Sequence, residues 1–342
     1  MLHAGMDMHK RFSVVTVVDD SGKEVVTGKH LENQEKELLG FFKGLGEDVR
    51  VVLEAGQNWM WMCDLLDDYG IENILCHPLK TKAIATAKIK TDKLDSRILS
   101  QLLRADFIPQ AYKPDAEIRA LRELMRYRAF LVRERTKTKN AVHALLTRGN
   151  IQHPYSDLFG RAGLAYLRDL ELPAQKRFLL DGYLRVLANL TQEISRVDKK
   201  ISGEYRASGD ARLLATMPGV GPLLALFILA EVGDISRFHT AKQLSSHAGL
   251  VPSTSQSGGR VRHGRITRQG SPWLRWALVE AAIHASRYPG PLRDHYLRLK
   301  RKKGNKIARV AVARKMSTYL FYMLKEGKTY GEVVNRFTSD LG

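Results

Sequence analysis

Apolar and polar positions change period along this chain. In the first hundred residues the period is two: "LHAGMDMH", "FSVVTVVDD" and "EVVTGKHL" alternate, and the turn "DDSGK" separates the second from the third, which predicts a three-stranded meander. A helical stretch follows from about Gln34 to Leu45, and the valine-rich run "VRVVLEA" at 49–55 has the pattern of a buried strand. The helix "NWMWMCDLLDDYG", the strand "ENILCH" and helical segments from Pro78 through Leu103 complete a mixed α/β sheet. From about 115 to 206 the period becomes helical, with arginines between the apolar positions. This predicts two long helices packed as an antiparallel hairpin, with 150–174 as their connection. Beyond Asp210, "RLLATMPGVGPLLALFILAEVGD" reads as helix, tight glycine turn, helix, and "TAKQLSSHAGL" as another helix. The stretch "VPSTSQSGGRVRHGRITRQG" reads as an irregular loop. Ser271 then caps a helix opened by Pro272, and a last helix runs from about Lys306 to Lys325. The expected division is an α/β domain at 1–112, a helical hairpin at 113–207 and a mainly α domain at 208–342.

Composition narrows the function. The chain has 342 residues, 44% hydrophobic and 27% charged, which suits globular domains with real cores. The longest apolar candidate is the short "LLALFILA", and "MLHAGMDMHK" has no apolar export core, so neither membrane insertion nor export is expected. Cys63 and Cys76 are the only cysteines, which argues against a disulfide framework or a cysteine zinc site and fits a reducing cytoplasm. The net charge of +19 points to a polyanionic partner, nucleic acid being the commonest. That charge is uneven: residues 1–112 carry 14 Lys/Arg against 17 Asp/Glu, whereas 257–315 carry 16 against 2. The acids therefore gather at one end and the phosphate-binding capacity at the other.

Four of those acids fall where this layout puts chemistry. Asp7 lies within the first strand, two residues after Gly5. Glu54 closes the fourth strand, and Asp92 and Asp95 start the helix after the last strand. Spaced by three, Asp92 and Asp95 share a helix face. Acids from strand ends and a facing helix can converge at one edge of an α/β sheet, where sites usually form. Two Mg²⁺ ions, or Mn²⁺ in their place, would neutralise four such groups, and a metal pair about 4 Å apart clamps both oxygens of a phosphoryl transfer. Lys90 and Lys93 would hold the phosphates. Each acid also has a plainer account. Asp92 can cap its helix after Thr91, Asp95 can pair with Lys93 or Arg97, and Glu54 can simply end a strand. Asp7 is the hardest to dismiss, because burying an acid is unfavourable unless it is paired or metal-bound.

Two C-terminal stretches suit a phosphodiester. In "MPGVGPLLA" the N–H groups of Gly219, Val220 and Gly221 are expected to be free at a helix start, as in a helix–hairpin–helix, and able to bind phosphate; an ordinary helix connection would look the same. The serine stretch combines Gly258 and Gly259 with Arg260, Arg262, Arg265 and Arg268. Small residues permit close backbone approach and arginines grip phosphate with a fork, so a serine here could meet a phosphodiester as nucleophile. A solvated basic loop is the other reading.

"GMDMHK", "VVLEAGQNW" and "KTDKLDSRIL" resemble the three acidic motifs of DEDD-type insertion-sequence transposases, the group that includes the bridge-RNA-guided recombinases. The resemblance implies a ribonuclease-H/RuvC-like N-terminal domain with Asp7, Glu54, Asp92 and Asp95 as metal ligands. "AGLVPSTSQSGGRVRHGRITRQGSPWLRWAL" is similar to the C-terminal transposase domain, in which a serine–glycine pair carries the nucleophile. That implies Ser257, followed by Gly258, rather than Ser253 or Ser255. It further implies DNA cleavage through a covalent serine–DNA link, with a structured guide RNA choosing the sites. Because strand exchange needs several strands cut together, a homodimer or tetramer is expected. Two other readings stay open: a metal-dependent junction nuclease in which water attacks, and a non-catalytic DNA-binding architectural protein.

Overall fold

Alternating valines build the first sheet. The computed structural model describes residues 1–56, 58–84, 91–257 and 260–339, and divides into two units, Met1–Lys113 and Pro114–Gly342. In the first unit β1 (Leu2–Met8), β2 (Phe12–Val18) and β3 (Glu24–Glu32) form the antiparallel meander. α1 (Glu35–Gly44) leads to β4 (Val49–Glu54), and α2 (Trp59–Asp68) leads to β5 (Glu72–Cys76). Both later strands join in parallel, giving the order β3-β2-β1-β4-β5. α3 (Pro78–Ile84) and α4 (Asp92–Arg104) follow.

Strand alternation sorts this unit into three layers. Ala4, Met6, Val51 and Leu53 point to one face and pack with Leu38 and Phe42 of α1 and Met62 and Leu66 of α2. Each large side chain buried this fully contributes roughly 1.5–3 kcal/mol. The opposite face takes α4, whose Leu99 and Leu103 meet Val52 and Cys76. Gly5 sits on that face, and α4 crosses it at backbone contact. A Cβ on Gly5 would lie 2.1 Å from the Ser96 carbonyl oxygen and 2.3 Å from the Ser100 nitrogen. A buried hydroxyl pair, Thr16 Oγ1 to Ser96 Oγ at 2.8 Å, ties the helix to β2 beside this crossing.

In the second unit α5 (Ala116–Arg148) and α7 (Ala174–Ala207) form the expected long pair, held near the middle by Arg128 and Asp198. The connection contains α6 (Arg161–Asp169), which closes a small core of Val142, Leu146, Leu167 and Leu180. The other end of the pair is not a free spacer: Met125, Ile194 and Ile201 share one core with the helices that follow. These are α8 (Gly209–Leu214), α9 (Pro222–Val232), α10 (Ala241–His247), α11 (Pro272–Ala285), α12 (Pro291–Lys303), α13 (Asn305–Glu326) and α14 (Tyr330–Ser339). Glu231 apart, α9 is apolar all round, and it lies buried in the core, as such a helix must.

The stretch after α10 is not an irregular loop. It contains an antiparallel strand pair, β6 (Pro252–Ser257) and β7 (Arg260–Ile266). The many small polar residues of β6 hid its strand character, since such a run shows no apolar alternation.

Candidate active site

The site is assembled by strand parity. Residues two apart on a strand share a face, so Asp7 and His9 follow Gly5 onto the α4 side of β1. The last paired row of β1 and β4 joins Met6 to Leu53, and Asp7 and Glu54 are the next residue of each strand. By the same alternation Glu54 shares the side of Val52. Thr91, not Asp92, caps α4: its hydroxyl accepts from the Leu94 N–H at 3.2 Å. That leaves the Asp92 carboxylate to meet His9, with Oδ2 3.0 Å from Nε2. The same Nε2 is 3.5 Å from Asp7 Oδ2. One ligand atom from each of Asp7, His9 and Asp92 lies within 4.8 Å of the others. Nε2 is buried, yet it has hydrogen-bond geometry to neither carboxylate. A buried ring nitrogen facing two carboxylate oxygens is an arrangement that fits a divalent cation.

Asp95 stands one turn further along α4, and its N–H donates to the Thr91 carbonyl at 2.9 Å. Arg97 pairs with Glu24 at 2.6 Å, and the Lys93 stem lies over Gly28, where an added Cβ would come 2.8 Å from its Cγ. Lys90 lies outside the described residues. His9 was missed at the sequence level, although Asp-Met-His in a strand is itself the signal: a two-residue spacing puts both side chains on one face.

In the second unit the glycine turn joins α8 to α9. Gly219 has φ +84° and packs so tightly that a Cβ would lie 2.3 Å from the Ala281 carbonyl oxygen of α11. Val220 is buried, and its N–H donates to the Met217 carbonyl at 3.0 Å, so the expectation of three free N–H groups is corrected. Drawing Val220 into the core closes that turn on itself. The turn borders an open hollow of about 650 Å³ that His284 and Tyr288 also line.

The β6–β7 hairpin places Ser257 opposite Arg260 and Ser255 opposite Arg262 in backbone register. Gly258 and the side chains of Ser257 and Arg260 lie outside what is described. Arg262, Arg265 and Arg268 are exposed. In α9 lies Glu231, only 4% exposed. Its Oε1 accepts from Arg126 Nη2 at 2.8 Å and its Oε2 from Ser271 Oγ at 2.7 Å. Ser271 in turn caps α11 by accepting from the Leu274 N–H, and donates its own N–H to the His247 carbonyl at 2.8 Å. Burial pushes the His247 imidazole down to about 4, and Arg237, 3.2 Å away, adds to the effect. The cap is legible in the sequence. The acid is legible only as an anomaly inside "LLALFILAEV".

Comparison with known proteins covers both units. Residues 4–151 match a family model described as a transposase of the DEDD, IS110 type, and residues 211–297 match the Transposase IS116/IS110/IS902 family. The chain carries transposase domains of the IS110/IS116 family. This transposase is thus an enzyme of DNA cutting and rejoining. It is 27% identical to the insertion element IS116 uncharacterized 44.8 kDa protein of Streptomyces clavuligerus, over 95% of each chain. It is 26% identical to the transposase for insertion sequence element IS1111A of Coxiella burnetii, over 95% of this chain and 90% of that one. It is 28% identical to the pilin gene-inverting protein of Moraxella lacunata, over 84% and 83%. Among the described residues of the transposase, no helix is long and apolar enough to cross a membrane.

Proposed function

We propose that this transposase cuts and rejoins DNA through a covalent serine–DNA link, with Ser257 as nucleophile and divalent cations, Mg²⁺ first, held by Asp7, Glu54, Asp92 and Asp95. The observation that carries the reading is the meeting of Asp7 and Asp92 at the buried ring nitrogen of His9, which has hydrogen-bond geometry to neither, in a chain of net charge +19. The strand order β3-β2-β1-β4-β5, with acids at the ends of the two central strands, supports a ribonuclease-H-like, RuvC-like domain. Bound divalent ions would supply Lewis acidity and charge neutralisation to the phosphoryl transfer.

The chain's own groups do the rest. The Ser257 Oγ–phosphorus bond forms as one sugar oxygen–phosphorus bond breaks, and the freed sugar hydroxyl takes the proton that the serine gives up. Reversal with a different strand end rejoins DNA. Arg260, Arg262, Arg265 and Arg268 grip the flanking phosphates by forked hydrogen bonds, and Gly258 leaves room for the strand. Lys90 and Lys93 do the same beside the acids. Gly219, Gly221 and the first turn of α9 hold backbone phosphate in a helix–hairpin–helix manner, without the Val220 N–H. The α5–α7 pair assembles a dimer or tetramer, so that Ser257 reaches an acid cluster in its own chain or in another. The +14 stretch at 257–315 suits a structured guide RNA as well as DNA.

The test is an adduct assay with element-end DNA and the nucleic acid that co-purifies with the protein. A protein–DNA adduct that survives denaturation is expected, absent in both Ser257→Ala and Asp7→Asn. Cutting that persists in Ser257→Ala would establish attack by water instead. Sequencing the co-purified nucleic acid should return one discrete structured RNA; random fragments would remove the guide from the reading.

A further inference from the structure

The acid motif contains a non-acid at its centre. His9 follows β1 directly and is fixed before any ion arrives. Its N–H donates to the Phe12 carbonyl at 2.9 Å, and its carbonyl accepts from Asn33 Nδ2 at 2.8 Å. Its ring lies against Phe12, centroids 4.6 Å apart, and Phe12 stacks on His30 at 4.3 Å. Nε2 is thereby held 3.0 Å from Asp92 Oδ2 and 3.5 Å from Asp7 Oδ2. Six-coordinate ions with bonds of about 2.1 Å have adjacent donors about 3 Å apart, so these separations match cis positions of one coordination sphere. A plain His–carboxylate pair would show hydrogen-bond geometry to one oxygen, and Nε2 has it to neither.

We infer that His9 Nε2 is a direct ligand of the divalent ion, together with Asp7 and Asp92, and that the site therefore takes Mn²⁺ more tightly than Mg²⁺. The inference rests on the metal reading proposed above and adds to it a nitrogen donor. Mg²⁺ favours oxygen and surrenders water reluctantly, whereas affinity for nitrogen donors rises along the first-row divalent ions. A fixed imidazole thus separates the two ions where carboxylates alone discriminate poorly.

The test uses the full chain with Mn²⁺ alone, read by pulsed electron paramagnetic resonance and by competition with Mg²⁺. Nitrogen modulation from a coordinated imidazole is expected in the wild-type protein and lost in His9→Gln. His9→Asp, a second variant, should keep the ion and lose the nitrogen signal. Mn²⁺ binding should weaken on the order of tenfold in His9→Gln, with Mg²⁺ binding changing less than about threefold. Bound Mn²⁺ without nitrogen modulation, or modulation that survives both variants, overturns the inference and leaves the carboxylate site standing. Failure of the folded wild-type protein to bind Mn²⁺ at all would bring down the metal reading itself.

Discussion

Gly5→Ala tests whether the backbone crossing of α4 over β1 sets the site. In an ordinary strand this change stabilises by about 0.4–1 kcal/mol, because alanine has less freedom to lose on folding. Here the new Cβ would stand 2.1 Å from the Ser96 oxygen and 2.3 Å from the Ser100 nitrogen. Ordinary contact begins near 3.4 Å, so α4 must lift by about 1.3 Å, and no side-chain rotation can relieve a clash with backbone. Overpacking of this kind costs about 1–3 kcal/mol. The lift also separates the buried Thr16–Ser96 hydroxyl pair, a loss of about 1 kcal/mol. For a unit of this size a total near 3 kcal/mol lowers the melting temperature by roughly 10 °C. Because Asp92 rides on α4, its 3.0 Å contact with His9 opens beyond about 4 Å and divalent-ion binding falls with it. Calorimetry of the full chain reads the first effect, and Mn²⁺ titration reads the second. A melting temperature unchanged or raised, with Mn²⁺ affinity within twofold of wild type, would refute the reasoning.

Glu231→Ala should destabilise the second unit by about 2–4 kcal/mol, seen as a lower denaturant midpoint, because it strips the cap hydroxyl of Ser271 and leaves Arg126 without its partner. An unchanged midpoint would mean that the Arg126–Glu231–Ser271 clamp is idle. His247 predicts a pH dependence. Its folded value of about 4 lies below the unfolded value near 6.5, so the unfolded chain binds the proton first as pH falls. Stability is therefore full above about pH 6.5 and declines toward pH 4, by roughly 2–3 kcal/mol, and His247→Gln should flatten that slope in pH-dependent unfolding.

Local rules made much of the first unit legible. Period-two alternation marks all three strands of the meander, the valine run marks β4, and each helix of this unit falls where its apolar spacing puts it. Backbone preference and the burial of one face act over a few residues, so sequence carries them. The same rules failed where burial could not leave a mark. β6 is a run of small polar residues, β7 is broken by arginines, and the very basic α12 shows almost no apolar stripe, so none of the three was readable as an element.

By itself the sequence determined that acids would lie at strand ends and at a helix start, and that arginines would crowd the serine stretch. Tertiary structure alone decided which of them meet. Strand pairing put Asp7 and Glu54 each one residue past the last paired row of β1 and β4, and the absence of a side chain at Gly5 let α4 descend until Asp92 reached His9. Likewise, burial of Val220 turned its N–H onto the Met217 carbonyl, where the local sequence predicts a free group. Contacts between residues eighty positions apart depend on how closely two backbones can approach, and that distance is a property of packed surfaces rather than of any short stretch of chain.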